Sequence, residues 1–363
     1  MKYFTQPLLT LKTKKKPANL YLIITLSIFS TTSLFSQNKN PAEKYSNAYK
    51  KYEAEKCPVK ENGIKNFVYF SRDREQIKDH PFLNIPQFEG AQIMYSWRDL
   101  EPEKGKYNFS IIKEDYEYLR SKGKKLFIQL QDATFDPNYN ATPKYLLTDE
   151  YDGGAIEFFE EGKAVGWVAK RWNPKVQQCF ATFLEALGKE FDGKIEGINL
   201  QETAIGTVKN LNPEQYVKAI KANMLSMKKA FPSSTTMQYA NFISGEWLPW
   251  EDKGYLRSIY KYGEEIGVGL GGPDLMVKKK AQLNHALTLM HEEKYTVPLG
   301  IAIQDGNYLG ETGNTKIVQK NKNIVPMLSA FAKDFLKVNY MFWVNQEPYF
   351  TRDVIPCFSS KEQ

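Results

Sequence analysis

The chain has 363 residues, with 49 Lys and Arg, 42 Asp and Glu, three His and three Cys. Its positive charge comes mostly from the first 36 residues, which hold five Lys and no acidic residue; the remainder is nearly neutral, so nucleic-acid binding loses its main support. Cys57, Cys179 and Cys357 allow at most one disulfide, and neither they nor the three His have the spacing of a metal site, so we expect no metal and no cofactor.

Residues 1–36 have the three parts of an export signal. A lysine-rich start precedes an apolar run from Leu20 to Phe29, and Ser33 and Ser36 are small residues ahead of a cleavage point after Ser36. The apolar run is short and interrupted, which disfavours an uncleaved membrane anchor. We therefore predict an exported protein, periplasmic or secreted, without stable membrane insertion after signal cleavage.

The rest of the chain divides into a polar, helix-prone N-terminal arm, residues 37–62, and one continuous domain, residues 63–358. In this domain short apolar runs alternate with stretches of helical period, and no linker divides them. The eight runs are NFVYFS (66–71), GAQIMYSW (90–97), KKLFIQLQ (124–131), IEGINLQE (195–202), TTMQYANF (235–242), IGVGLGGPD (266–274), VPLGIAIQD (297–305) and VNYMFWVNQE (338–347).

Eight apolar strands alternating with helices predict an α/β fold, a single (β/α)8 TIM barrel whose sheet is buried on both faces. A doubly wound open sheet is the alternative, but no glycine-rich phosphate loop follows the first strand. The long loop after the third strand, residues 132–174, contains Trp167, Arg171 and Trp172, and we expect it to be ordered and to overhang the barrel mouth.

The candidate site is the ring of residues that closes the strands, because the carboxyl ends of barrel strands meet at one mouth. Strand ends and the following residues provide Arg72, Trp97, Gln129, Gln131, Gln201, Glu202, Tyr239, Asn241, Asp274, Gln304, Asp305, Trp343, Asn345 and Glu347. Amides and carboxylates bind sugar hydroxyls, and indoles stack on sugar rings. The composition predicts an oligosaccharide or polysaccharide substrate, with substrate contacts from Arg72, Trp97, Gln129, Gln131, Arg171, Trp172, Gln201, Asn241, Gln304 and Trp343.

Glu202 is the candidate general acid. It follows the apolar run of GINLQET, so poor solvation would raise its pKa and favour proton donation to a leaving glycosidic oxygen. An ordinary strand-end carboxylate bonded to a neighbouring amide or Arg is the alternative.

Three segments resemble clan A glycoside hydrolases, the (β/α)8-barrel retaining glycosidases that include β-galactosidase-like enzymes. WRDLEPEKGKYNF, residues 97–109, resembles their second-strand signature, GINLQET their fourth strand, and FWVNQEP their eighth strand. The resemblance implies that Glu202 is the acid/base and that Trp343 forms the floor under the reacting sugar. The chain departs from the pattern in two places, since Gln201 stands where the clan has Asn, and the seventh strand ends in Gln304 and Asp305 instead of a nucleophilic Glu.

The second catalytic carboxylate is therefore open between Asp305 and Glu347. A carboxyl separation of about 5 Å would allow a covalent intermediate, and about 6.5 to 9.5 Å would allow inversion. Two further hypotheses need no nucleophile. One is β-elimination from a uronic acid, with Tyr239 as base, Arg72, Lys170 or Arg171 neutralising the carboxylate and Glu202 as acid; the other is a barrel that binds carbohydrate without catalysis.

Overall fold

The computed structural model describes residues 40–309 and 322–359, so the predicted signal peptide, residues 1–36, lies outside the described residues. The strands are β1 (Lys65–Tyr69), β2 (Phe88–Ser96), β3 (Lys125–Gln131), β4 (Ala133–Thr134), β5 (Ala155–Glu160), β6 (Lys163–Ala169), β7 (Gly197–Leu200), β8 (Thr235–Tyr239), β9 (Gly269–Gly272), β10 (Leu299–Ile303) and β11 (Tyr340–Val344). The α-helices are α1 (Trp97–Leu100), α2 (Ser110–Ser121), α3 (Pro174–Phe191), α4 (Pro213–Ala230), α5 (Tyr255–Ile266), α6 (Lys280–Asn284), α7 (Ala286–Glu292), α8 (Val325–Phe331) and α9 (Ile355–Ser359).

Eight of these strands close into a parallel barrel, in the order β1-β11-β10-β9-β8-β7-β3-β2. Each is one of the eight apolar runs predicted from the sequence, and the (β/α)8 fold is confirmed. The long helices between them start at strong signals. Asn173 accepts hydrogen bonds from two backbone amides at the start of α3, Asn212 accepts one from the backbone amide of Gln215 in α4, and a Pro occupies the first turn of both helices.

The barrel interior is filled toward the amino ends of the strands by aromatic rings. Phe67, Phe127, Tyr340 and Phe342 pack with ring centroids 4.9–6.2 Å apart. Gly197 makes room for them, because a Cβ there would lie 2.7 Å from the Phe127 ring and 2.5 Å from a backbone oxygen of β8. These contacts establish which residues of each strand point inward, and they close the barrel at this end.

The long loop after β3 is ordered, as predicted, and folds into a small antiparallel sheet in the order β4-β6-β5. The tip of its hairpin is attached to the loop that follows β7. Phe159 and Thr207 exchange two backbone hydrogen bonds, with N–O distances of 3.1 and 2.7 Å. The hairpin is therefore held next to the segment that carries Glu202.

The described part of the N-terminal arm packs on the barrel. Tyr52 is buried with its ring 5.6 Å from that of Phe331 in α8, and Cys57 forms a disulfide with Cys357 in α9. The disulfide joins positions 300 residues apart and ties the arm to the last helix. Among the helices described, none is long and apolar enough to cross a membrane.

Candidate active site

Glu202 lies two residues beyond the end of β7 and is partly buried. The side-chain amide of Asn241, two residues beyond the end of β8, donates a 2.6 Å hydrogen bond to Glu202 Oε2. Asn241 is itself fixed, because its Oδ1 accepts hydrogen bonds from the backbone amides of Ala204 and Phe242. One amide side chain thus links the loops after two neighbouring strands and orients the carboxyl group.

The environment of Glu202 favours its protonated form. Burial is the main cause and the charge of Asp274 adds to it, while the hydrogen bond from Asn241 and the charge of Arg171 oppose them; together they raise the pKa of Glu202 to about 8. A carboxyl group with this pKa carries its proton at neutral pH. Glu202 can therefore act as a general acid.

Arg171 binds the backbone of the segment that carries Glu202. Its guanidinium forms a bidentate ion pair with buried Asp132, with both N–O distances 2.7 Å, and also donates to the backbone carbonyl of Glu202 at 2.9 Å and to the hydroxyl of Tyr216 at 2.8 Å. Arg171 is 3% exposed. It positions the Glu202 backbone, and its charge is already matched by Asp132, so it does not present a free cation to a substrate.

Amide side chains line the inner face near the mouth. Gln129 and Gln131 are buried, and the Oε1 atom of each has no hydrogen-bond partner among the described residues. Gln201 is also buried, with a single 3.6 Å contact from Nε2 to Met94 Sδ, and Gln304 is partly buried directly after β10. These four predicted residues provide acceptors and donors suited to sugar hydroxyls.

The two candidates for the second carboxylate have different surroundings. Both side chains are exposed. Partial desolvation and, secondarily, the charge of Asp73 raise the pKa of Asp305, and Glu347 accepts a hydrogen bond from Thr351. The phenol of Tyr69, an inward residue at the end of β1, is within electrostatic range of both Asp305 and Glu202. Asp305 and Glu202 thus share Tyr69 as an electrostatic neighbour.

Tyr239 and Arg72, the residues considered for elimination, occupy different depths. Tyr239 has no exposed surface, its hydroxyl accepts a 3.1 Å hydrogen bond from Gln92, and burial raises its pKa well above the usual range. This phenol lies below the mouth and is poorly placed to act as a base. Arg72 is exposed, lies 4.2 Å from the Tyr139 ring centroid and pairs with Asp136 at 3.7 Å.

Two of the three tryptophans predicted to contact sugar, Trp97 and Trp343, do not lie at the mouth. Trp97 is 1% exposed, packs against Phe180 of α3 and donates to Glu101 Oε2 at 2.7 Å. Trp343 has no exposed surface and donates to Asn66 Oδ1 at 2.9 Å, next to the ring of Phe358. Both indoles lie on the outer face of the barrel under the helices, so their predicted sugar contacts are corrected to packing roles.

Trp172, the third, is partly buried at the start of α3, with its ring centroid 6.0 Å from that of Tyr216. The WRDLEPEKGKYNF motif also has a structural role. Glu101 receives hydrogen bonds from the Trp97 indole and from the Gly105 backbone amide, which closes the turn after β2.

Sequence reasoning missed Asp132, Tyr69 and Gln92. Asp132 directly follows a predicted strand, and this position could have indicated a residue at the barrel mouth. Its partner Arg171 lies 39 residues away in the sequence, and no local pattern predicts that pairing. Nowhere in the described part of the chain do three His, Cys, Asp or Glu side chains gather in a metal-binding arrangement.

Comparison with solved structures supports the fold. The catalytic domain of a β-amylase from Paenibacillus polymyxa superposes with a TM-score of 0.52 at 9% identity, covering 78% of this chain and 92% of that one. The fold is that of glycoside hydrolase barrels. A family 39 glycoside hydrolase from Bacteroides cellulosilyticus WH2 matches with a TM-score of 0.49 at 12% identity, over 79% of this chain and 57% of that one.

A GH5_18 protein from Streptomyces cattleya matches with a TM-score of 0.37 at 10% identity, over 49% of this chain and 44% of that one. The matched regions thus span less than two thirds of these last two proteins. No family model and no curated protein matches the chain. The resemblance to glycoside hydrolases predicted from the motifs is therefore confirmed for the barrel fold.

Proposed function

We propose that this protein is an exported glycoside hydrolase that acts on polysaccharide-derived oligosaccharides, with Glu202 as the general acid. The observation that carries the proposal is the state of Glu202, a carboxyl group at the barrel mouth whose pKa is raised to about 8 and which Asn241 holds in place. The proton of Glu202 passes to the glycosidic oxygen as the bond to the leaving sugar breaks.

Asp305 is the proposed second carboxylate. It shares the Tyr69 phenol with Glu202 as an electrostatic neighbour, whereas the carboxylate of Glu347 is already bonded to Thr351. In its ionised form Asp305 would either attack the anomeric carbon itself or accept a proton from the water that attacks it. Export is supported by the sequence of residues 1–36 and by the disulfide between Cys57 and Cys357, which suits an oxidising compartment.

Elimination from a uronic acid is the second candidate, and one observation favours it. Arg72 is close enough to Tyr69 for its charge to lower the pKa of that phenol, although burial raises the pKa more. Tyr69, which is itself buried, would then be the base in place of Tyr239, with Arg72 neutralising the carboxylate.

A panel of acidic and neutral polysaccharide digests separates these reactions. Hydrolysis gives new reducing ends without ultraviolet absorbance, and elimination gives an absorbing unsaturated uronate. Glu202→Gln should abolish either reaction, because an amide cannot donate the proton, while substrate binding is retained. Turnover by Glu202→Gln at the wild-type rate would refute the assignment, and a protein that binds a sugar but yields neither product would be a binding barrel.

Glu347→Gln and Asp305→Asn form a matched pair for the second carboxylate. Asp305→Asn should lower kcat by several orders of magnitude, and Glu347→Gln should leave kcat within about threefold, as expected for a residue outside the reacting atoms. The reverse result would reassign the role to Glu347.

A further inference from the structure

The loop after β8 carries the most exposed indoles in the described chain. Trp247 and Trp250 are 47% and 56% exposed, although tryptophan is one of the most apolar side chains. Two exposed indoles in one loop form an apolar surface of the kind that can bind a ligand.

Trp247 is held rigidly in this position. Its backbone exchanges two hydrogen bonds with Glu251, at 3.2 and 2.9 Å, and its ring stacks on Phe242 with centroids 5.6 Å apart and planes 19° from parallel. The ring of His285 lies 4.8 Å from the Trp247 ring and 4.3 Å from the Phe242 ring, so both neighbours are on the same side of the indole. An indole fixed by these two neighbours loses little conformational freedom when a ligand covers its remaining surface.

The rest of the loop is fixed by Glu246. This buried carboxylate accepts hydrogen bonds from the backbone amides of Lys253, Tyr255 and Leu256, at 2.8–3.0 Å, which connects the loop to the start of α5. The loop that carries Trp247 is therefore held in place by hydrogen bonds to α5.

Trp247 is linked to the proposed acid through two consecutive residues. Phe242, on which it stacks, directly follows Asn241, the residue whose side chain donates to Glu202. A general acid faces the sugar that leaves, so a leaving sugar on the Asn241 side of Glu202 would lie toward Trp247. The indoles of Trp97 and Trp343 are unavailable to a sugar, since both are buried under the helices.

We propose that Trp247, backed by Phe242 and His285, is the stacking platform for the leaving-group sugar of an oligosaccharide. This inference rests on the proposed function. It names the substrate as a chain of at least two sugars whose leaving unit has an apolar ring face, because the flat indole gains by covering C–H surface.

The test measures binding in a catalytically inactive background. Four chains are compared: Glu202→Gln alone, and Glu202→Gln combined with Trp247→Ala, Trp247→Phe or Trp250→Ala. Calorimetry gives the Kd for cellohexaose, xylohexaose, mannohexaose and hexagalacturonate. Trp250→Ala is the matched control, since Trp250 lies in the same loop, is equally exposed and has no ring contact within the described residues.

We expect Trp247→Ala to weaken binding of the recognised hexaose by about tenfold, Trp247→Phe to restore most of it, and Trp250→Ala to change it by less than about twofold. Unfolding midpoints of the four chains report whether the fold is intact. An unchanged Kd in Trp247→Ala, an equal loss in Trp250→Ala, or no binding of any hexaose would overturn the platform. If the wild type hydrolyses the hexaose and Trp247→Ala leaves the Kd unchanged, only the platform is refuted. If the wild type shows no turnover but binding depends on Trp247, only the proposed hydrolase activity is refuted.

Discussion

At the scale of single residues, the proposed reaction depends on opposing effects on the pKa of Glu202. Burial and Asp274 favour the protonated form of Glu202, and Asn241 favours the ionised form. Asp274 is itself buried and accepts a 3.0 Å hydrogen bond from Asn307. The pKa of Glu202 is therefore set by neighbours that substitutions can change one at a time.

Asp274→Asn and Asn241→Ala should shift the pH profile in opposite directions. Removing the charge of Asp274 lowers the pKa of Glu202, so the alkaline limb of kcat/KM moves to lower pH. Removing the Asn241 donor raises the pKa, and the limb moves to higher pH. Shifts in the same direction, or no shift, would show that the alkaline limb belongs to another group.

Glu202→Gln should stabilise the protein, and more so as the pH rises. The folded-state pKa of about 8 exceeds the ordinary carboxyl value of 4.5, so the wild type loses stability as the pH rises from about 4.5 to about 8. The slope from this group is about 1.4 kcal/mol per pH unit. Urea unfolding of both chains at pH 5, 6.5 and 8 measures the difference, which would be constant with pH if Glu202 were ionised in the folded state.

At the scale of elements, the Arg171–Asp132 pair joins the end of the overhanging loop to β3 and to the segment after β7. Both side chains are buried, and Arg171 also bonds the carbonyl of Glu202. Arg171 therefore connects the stability of this region to the placement of the acid.

Asp132→Asn should lower the free energy of unfolding by about 3–5 kcal/mol, because it leaves the buried guanidinium without a counter-charge. Arg171→Met should have a similar effect, and the double variant Asp132→Leu/Arg171→Met should recover most of the loss. Urea unfolding of the three variants measures the coupling. Losses below about 1 kcal/mol in both single variants would show that the pair is solvated.

The sequence predicts the elements better than their orientation. Eight apolar runs were enough to place the barrel strands and to bring Glu202 to the mouth. Trp343 was assigned to the interior, but its neighbour Phe342 is the inward residue. Since a barrel strand is apolar on both faces, its pattern does not distinguish inside from outside, and an error of one residue reverses the side chain.

At the scale of the whole molecule, the disulfide between Cys57 and Cys357 ties the arm to the last helix across a separation of 300 residues. This bond restricts the unfolded chain over nearly the full domain. It also holds the arm against the end of the chain that closes the barrel between β1 and β11.

Cys57→Ser/Cys357→Ser should lower the free energy of unfolding by about 2–5 kcal/mol, since the unfolded chain gains freedom when so long a loop is opened. Activity at 25 °C should be unchanged, because neither residue is near Glu202. Cys179→Ser is the control and should have little effect, as Cys179 is outside the disulfide. Denaturant unfolding under non-reducing conditions gives the comparison, and equal stability of all three chains would contradict the role of the bond.

The four aromatic rings that fill the barrel at the amino ends of the strands also bear on where a substrate can enter. Phe67, Phe127, Tyr340 and Phe342 pack against one another across the barrel interior. A substrate of the proposed hydrolase would therefore bind and leave at the opposite end of the barrel, where the strands end.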